Sequence, residues 1–348
     1  MTNRARLGFI GAGWWASSNH MPRLAARPDV DLVAVCGIDT DSLARVRDRF
    51  GFRIATTDFR ELLAADLDGV VVSSPHTLHY EHAKAALTAG CHVMIEKPMT
   101  TQASQSWELV NLARERGRHL LVPYGWNYKP FVEKAAELVR EGVIGEIEFV
   151  TCHMASPIRD LLGGGHFAGA DSAFVQPGAQ TWSDPAVAGG GYGHSQLSHS
   201  TGMLFYLTDL RAESAYALMS NSGARVEIND AIAVRFRNGA IGTVSGTAAV
   251  PDGVKYQVDL RLFGREGMLL LDVERERLEV RRRTGDDIIV DVPAGQGDYT
   301  CDGPPNRFVD LILGKIGSNN STGEIGARSV ELLDAAYRSS RSGQLEEV

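Results

Sequence analysis

The feature that most restricts how this chain can fold is an apolar run, Leu7 to Ile10, that enters Gly11-Ala12-Gly13-Trp14-Trp15-Ala16. The run has the length of a strand, and the segment after the glycines reads as a helix to Ala26. A strand, a G-x-G-x-x-A turn and a helix make a physical demand at each small residue. Gly11 permits the tight turn, Gly13 lets the backbone approach a pyrophosphate, and Ala16 lets helix and strand pack closely. The helix N-terminus then faces the anion, so Gly11, Gly13, Trp14, Trp15 and Ala16 form the expected cofactor cradle. A second strand, Asp31 to Cys36, follows where the fingerprint needs one. The acidic residue that bonds ribose hydroxyls falls near Gly37, and Asp39 lies just beyond it. Asp39 either reaches the ribose or caps the next helix. With no Arg beside Gly37 to hold a 2′-phosphate, NAD is favoured, although NADP is also tolerated.

The pattern then repeats. Phe52-Arg53-Ile54, a helix from Asp58 through Leu63, a strand Gly69 to Ser73, a helix Leu78 to Ala89, a strand His92 to Ile95, a helix Thr101 to Arg116 and a strand His119 to Val122 come in order. Regular alternation predicts a doubly wound parallel sheet, and residues 1–122 are assigned to a dinucleotide-binding domain. Ligands bind such sheets at the carboxyl ends of the strands. Ser74, Pro75 and His79 open a helix on that rim and are candidates for the cofactor pocket, with a capping or packing role open for His79. Val93-Met94-Ile95 runs into Glu96-Lys97-Pro98, which brings Lys97 to the same rim with Glu96 beside it. Pro98 biases Lys97 toward extended geometry, and X-Pro is the common place for a cis bond. Taken alone, Lys97 reads as a solvated turn lysine. Its context argues for a site.

Composition removes several function classes. With 35 basic against 43 acidic residues the net charge is −8, which fits a soluble protein and argues against a polyanion-binding surface and nucleic acid. Cys36, Cys91, Cys152 and Cys301 are scattered with no C-x-x-C pair, so neither a metal nor a disulfide framework is expected. No apolar stretch has the length of a signal core or a bilayer span, and a cytoplasmic protein without membrane contact is expected.

Together, the Gly11-to-Ala16 turn, Ser74-Pro75 with His79, Ala89-Gly90-Cys91-His92-Val93 and Glu96-Lys97-Pro98 resemble the Gfo/Idh/MocA family of NAD(P)-dependent oxidoreductases. The resemblance implies an α/β chain in which a Rossmann domain precedes an α/β domain with a large, mostly antiparallel open sheet. It further implies hydride transfer at a secondary hydroxyl of a sugar, cyclitol or related polyol. A homodimer or homotetramer formed through the free face of that sheet is implied as well.

Residues 123–323 are assigned to the substrate and oligomerisation domain, and 324–348 to a helix that returns toward the Rossmann side. Asn127 and Tyr128 resemble the family's crossover motif, which makes Tyr128 a substrate candidate. Ile144 to Val150 and later short runs from Ala212 to Arg282 alternate as strands, with hairpin turns at 264–267 and 284–286. The interval Ala155 to Gly189 shows no usable period and is expected to lid the substrate pocket, with Arg159 and Trp182 among its candidates.

Gly189-Gly190-Gly191-Tyr192-Gly193-His194-Ser195-Gln196-Leu197-Ser198-His199 resembles the family's second signature, and His199 falls on its histidine. Ser195 stands where an Asp is expected. Helical spacing places Ser195 and Gln196 on the face of His199 and turns His194 elsewhere. Lys97 and His199 are the expected acid/base pair, His199 principal and Lys97 bonding the reacting oxygen. The missing Asp leaves a rival open, a redox-neutral elimination or epimerisation through transient oxidation. A dinucleotide-sensing regulator without chemistry is a further alternative, and it predicts loss of Lys97 or His199, both present.

Overall fold

The computed structural model describes residues 4–348, and among these the chain forms two sheets. The first contains β1 (Ala5–Ile10), β2 (Val30–Cys36), β3 (Ile54–Thr56), β4 (Gly69–Val72), β5 (His92–Ile95) and β6 (Leu120–Leu121). All its pairings are parallel, in the order β3-β2-β1-β4-β5-β6. β4 is buried at every position because helices cover both faces, α1 (Met21–Ala25), α2 (Thr40–Phe50), α3 (Phe59–Leu63), α4 (His79–Thr88) and α5 (Ala103–Glu115). Strand order reverses between β1 and β4, so a crevice opens over their carboxyl ends, beside the end of β5. The helix after the glycine turn begins with a widened π turn, Ala16–His20, ahead of α1. Pro22, which has no N–H to give the helical ladder, is the second residue after that turn.

The crossover helix α6 (Pro130–Arg140) leads to β7 (Ile147–Ala155), which starts later and runs further than the sequence suggests. The interval expected to lack structure instead holds α7 (Arg159–Gly163), a 3-10 turn Ala168–Ala170, α8 (Ala179–Ser183) and α9 (Pro185–Ala188). Each is three to five residues long, too short to show a helical period. Then come α10 (Ser198–Leu207), β8 (Ala212–Ser220), β9 (Asn229–Phe236), β10 (Ile241–Thr247), β11 (Gln257–Gly264), β12 (Gly267–Asp272), β13 (Arg277–Arg282), β14 (Ile288–Val290), α11 (Gly303–Ile312), α12 (Gly323–Ser342) and β15 (Glu346–Glu347).

The second sheet has the order β14-β13-β12-β11-β7-β10-β9-β8-β15. Only the central β7–β10 pair is parallel; the other pairings are antiparallel. One face packs on α10 and α12, and the opposite face is open, which gives β9 its alternating burial. The edge strands β14 and β15 are too short to alternate and have no sequence signature. The return to the Rossmann core begins with α11, whose Phe308, Val309 and Leu311 join Leu7 and Phe9 in one cluster. α12 follows and packs against α5 on one side and β8 and α10 on the other, tying the two layers together. Among the described residues no helix is long and apolar enough to cross a membrane.

Candidate active site

The glycine turn is built as its residue types require. Gly11 has φ +108°, and a Cβ there would lie 2.4 Å from the carbonyl carbon and oxygen of Ser73, so β1 turns hard against the end of β4. A Cβ on Gly13 would meet nothing within 4 Å. That open space beside a helix N-terminus fits a dinucleotide pyrophosphate, which a larger residue would crowd. Ala16 is buried in the first turn, and Trp14 and Trp15 project toward the second domain. Asp39 is exposed at the end of β2 and accepts from the Ser42 backbone N–H over 2.7 Å, which holds its carboxyl below the usual range. It therefore caps α2.

Ser74 and Pro75 lie on the same rim, but His79 is fully buried and does not face the crevice. Its ring nitrogens lie 2.8 Å from the carbonyls of Ser74 and Pro98, so it ties the β4 turn to the residue after Lys97. Of the two roles open for His79, its burial and these contacts fit the packing one.

Glu96 is buried and accepts from Trp15 Nε1 at 3.0 Å, from His20 Nε2 and from the Lys97 backbone N–H at 3.1 Å. Burial pushes its pKa up, yet the His20 hydrogen bond and the nearby positive charges outweigh that and hold it below the usual range. Lys97 follows across a cis Lys97–Pro98 bond and is only 5% exposed. Its Nζ donates to the Ser195 carbonyl at 2.8 Å and lies 5.8 Å from the ring centroids of both Trp15 and Trp182. Burial lowers its pKa, opposed in part by the Glu96 carboxylate.

The other half of the site hangs on a buried carboxylate. Glu227 accepts from the backbone N–H groups of Gly191 and Gly193 and from the Tyr337 hydroxyl, which itself accepts from the His194 N–H at 3.1 Å. These contacts satisfy N–H groups at a helix start that would otherwise be orphaned. Residues Gly193–Leu197 form a π turn that runs into α10. The widened turn breaks the three-and-four spacing assumed from sequence. Gln196 and His199 line the cavity, while Ser195 presents its carbonyl to Lys97 and keeps its hydroxyl buried without a partner among the described residues. Ser195, expected on the face of His199 as a substrate-binding side chain, meets the site through its carbonyl. His194 packs on Tyr337 with ring centroids 4.4 Å apart, away from the cavity.

His199 is 5% exposed and ringed by Tyr299 (5.4 Å between centroids), Trp126 (5.5 Å) and Tyr124 (6.3 Å). Its Nδ1 is sealed without a partner, which leaves Nε2 to face the cavity. Burial first, and the Lys97 charge second, push its pKa well below the ordinary histidine value. At neutral pH the ring is neutral and able to accept a proton.

Lys97, Gln196, His199, Trp14, Trp15 and Trp182 share one cavity of about 600 Å³. Two other sequence candidates fall outside it. Arg159 is exposed and donates to the Ser222 carbonyl, and Tyr128 packs against Gly303 with Arg307 over its ring. Within the 3-10 turn Gly125–Tyr128 it is Trp126 that reaches the cavity. Tyr256 and Tyr299 were also missed, since both lie in irregular segments where no period marks a face. Among the described residues no cluster of His, Cys, Asp and Glu has metal-ligand geometry, and all four cysteines are free and buried.

The family model described as an oxidoreductase family with a NAD-binding Rossmann fold matches residues 5–124, and the GFO/IDH/MocA C-terminal domain model matches residues 132–270. The chain belongs to the Gfo/Idh/MocA family. A D-glucoside 3-dehydrogenase of Escherichia coli is 36% identical over 147 residues, which is 42% of this chain and 42% of that protein. The alignment thus spans less than half of that relative. A dTDP-3,4-didehydro-2,6-dideoxy-alpha-D-glucose 3-reductase of Streptomyces antibioticus is 28% identical over 89% of this chain and 87% of its own length. Among solved structures, GenD2 from gentamicin A biosynthesis, in complex with NAD, superposes with a TM-score of 0.79 at 24% identity, covering 100% of this chain and 97% of that one. Levoglucosan dehydrogenase, in complex with NADH and levoglucosan, gives 0.79 at 22% identity with 99% of both chains covered. In this member of the family Gly11, Gly13 and the helix they open are the parts suited to NAD(P).

Proposed function

We propose that the protein is a dehydrogenase that transfers a hydride between a secondary hydroxyl of a sugar, cyclitol or related polyol and NAD(P), with NAD preferred. The observation that carries this reading is the convergence of Lys97 and neutral His199 on one cavity beside the glycine turn. The bound nicotinamide supplies the hydride acceptor. His199 Nε2 takes the hydroxyl proton, and Lys97, steadied by the Ser195 carbonyl, donates a further N–H to the reacting oxygen. The Gln196 side chain is placed to hold a neighbouring hydroxyl. Trp182 and Phe167, from the interval that crosses the cavity, exclude water from it. Oligomerisation to a dimer or tetramer through the open sheet is supported by Tyr216, Leu218 and Ile241, which leave apolar side chains on its free face. A cytoplasmic location belongs to the same reading.

The test is a panel of aldoses, inositols and sugar acids assayed with NAD and with NADP while absorbance of the reduced cofactor is followed. Substrate-dependent accumulation of NADH is expected. Product formed without accumulation assigns redox-neutral chemistry instead, and the absence of any product removes the dehydrogenase reading.

A further inference from the structure

We propose that the substrate is a glycoside carrying an apolar aglycone, in preference to a free sugar or a cyclitol; the inference rests on the function proposed above. A polyol brings many hydroxyl donors, and each one buried needs an acceptor, of which carboxylates are the strongest. Among the described residues that line the cavity there is no Asp or Glu. Ser195 replaces the expected acid and its hydroxyl is sealed away. The nearby Glu96 is taken up by Trp15, His20 and the Lys97 backbone. The charged side chains on the lining are Lys97 and Arg49, both donors only. Its other polar side chains, Ser17, Ser18, Asn19, Ser172 and Gln196, are neutral, so a ring that offers hydroxyls on every carbon finds no charged acceptor there.

Aromatic side chains supply the apolar part of the lining. Trp126, Tyr256 and Tyr299 form one wall around His199, and Trp14, Phe167 and Trp182 form the other, with Trp14 in edge contact with Phe167 at 5.6 Å. Aromatic faces of this kind bury the C–H face of a pyranose. The cavity also continues past the reacting centre to a mouth between α1, α2 and residues 172–174, where Pro22, Arg49 and Phe174 line it. The Arg49 guanidinium stacks on the Phe174 ring at 4.4 Å, and Arg45 holds the Phe174 carbonyl at 3.2 Å. A ring bound at Lys97 and His199 thus has a subsite of Pro22, Phe174 and the Arg49 guanidinium leading away from it, which a free sugar leaves empty and an aromatic aglycone fills.

The full-length protein saturated with NADH is titrated with the phenyl and methyl glucopyranosides of both anomers, glucose 1-phosphate, glucose and myo-inositol. Binding is read by intrinsic fluorescence, because Trp14, Trp15, Trp126 and Trp182 line the cavity. A phenyl glycoside is expected to bind at least about tenfold tighter than its methyl counterpart. Phe174→Ala should bring the phenyl glycoside down to the methyl level while leaving methyl glycoside affinity unchanged. Equal or weaker binding of the phenyl glycosides, absence of saturable binding included, overturns the proposal. So does tightest binding of glucose 1-phosphate, or an unaltered ratio in the variant. The two readings fail separately. Free polyols oxidised with no gain from the phenyl group leave the dehydrogenase standing and remove the aglycone subsite. The expected binding order without any cofactor reduction does the reverse.

Discussion

The ammonium of Lys97 donates to the backbone carbonyl of Ser195 over 2.8 Å, joining positions 98 residues apart. Where the family pattern has an acidic side chain at 195, this chain uses the main chain to hold its lysine. Ser195→Ala is accordingly expected to change kcat/KM by less than about threefold, since no contact to reacting atoms is lost. A fall of two orders of magnitude in steady-state kinetics would show that the hydroxyl takes part.

Removing either member of the proposed acid/base pair has a larger consequence. Lys97→Ala and His199→Ala should each lower kcat by about 10²–10⁴-fold, the usual contribution of positioned proton transfer. NADH affinity, measured by fluorescence titration, should stay within a few-fold of the parent protein. Near-native turnover in either variant sinks that residue's assignment.

The pH dependence follows from the neutral state of His199. Its pKa is pushed below 6.5 by burial and then by Lys97, and the proton acceptor is lost as pH falls through that lowered value. The acid limb of kcat/KM for alcohol oxidation should therefore lie below 6.5. In the residual activity of Lys97→Met, which removes the positive charge, the limb should move up toward the ordinary histidine value. A limb at or above 6.5 in the parent protein would falsify the assignment of His199 as base.

Gly11 and Gly13 should separate folding from cofactor binding. Gly11→Ala forces a Cβ at φ +108° against the Ser73 backbone and is expected to cost about 1–3 kcal/mol in denaturant unfolding. Gly13→Val meets open space and should leave the unfolding midpoint of the apoprotein nearly unchanged. Its NADH dissociation constant should rise at least about tenfold, because the added methyls occupy the path of the pyrophosphate. Retained affinity in Gly13→Val places the dinucleotide elsewhere.

Asp39 caps α2 through Ser42 and sits where a ribose is expected. Asp39→Ala should lower the unfolding midpoint slightly, because the cap on α2 is lost. If the carboxylate also bonds the ribose hydroxyls, the ratio of kcat/KM for NAD over NADP should fall in the variant. An unchanged ratio confines Asp39 to the cap.

The Rossmann half was legible because its signals are local. Apolar runs such as Val93 to Ile95 are buried on both faces of a parallel sheet, and Gly11 is required by a single turn, so neither needs distant chain to be recognised. The strands β8 to β13 were readable for the same reason, through alternation on a half-open sheet. The helices between Arg159 and Ala188 were not, since turns of three to five residues hold no period and owe their form to what they pack on.

By itself the sequence determined the chemistry on offer: a glycine turn shaped for a dinucleotide, a lysine ahead of a proline at a strand end, and a histidine after a glycine-rich helix start. Tertiary structure alone decided how these meet. A π turn at Gly193–Leu197 rotated the Ser195 hydroxyl out of the site and its carbonyl in. Trp126 reached the cavity from the crossover turn, and Tyr256 and Tyr299 arrived from irregular segments to complete the wall around His199. Side chains of that kind are chosen by packing against remote chain, a relation between positions that no single stretch of sequence displays.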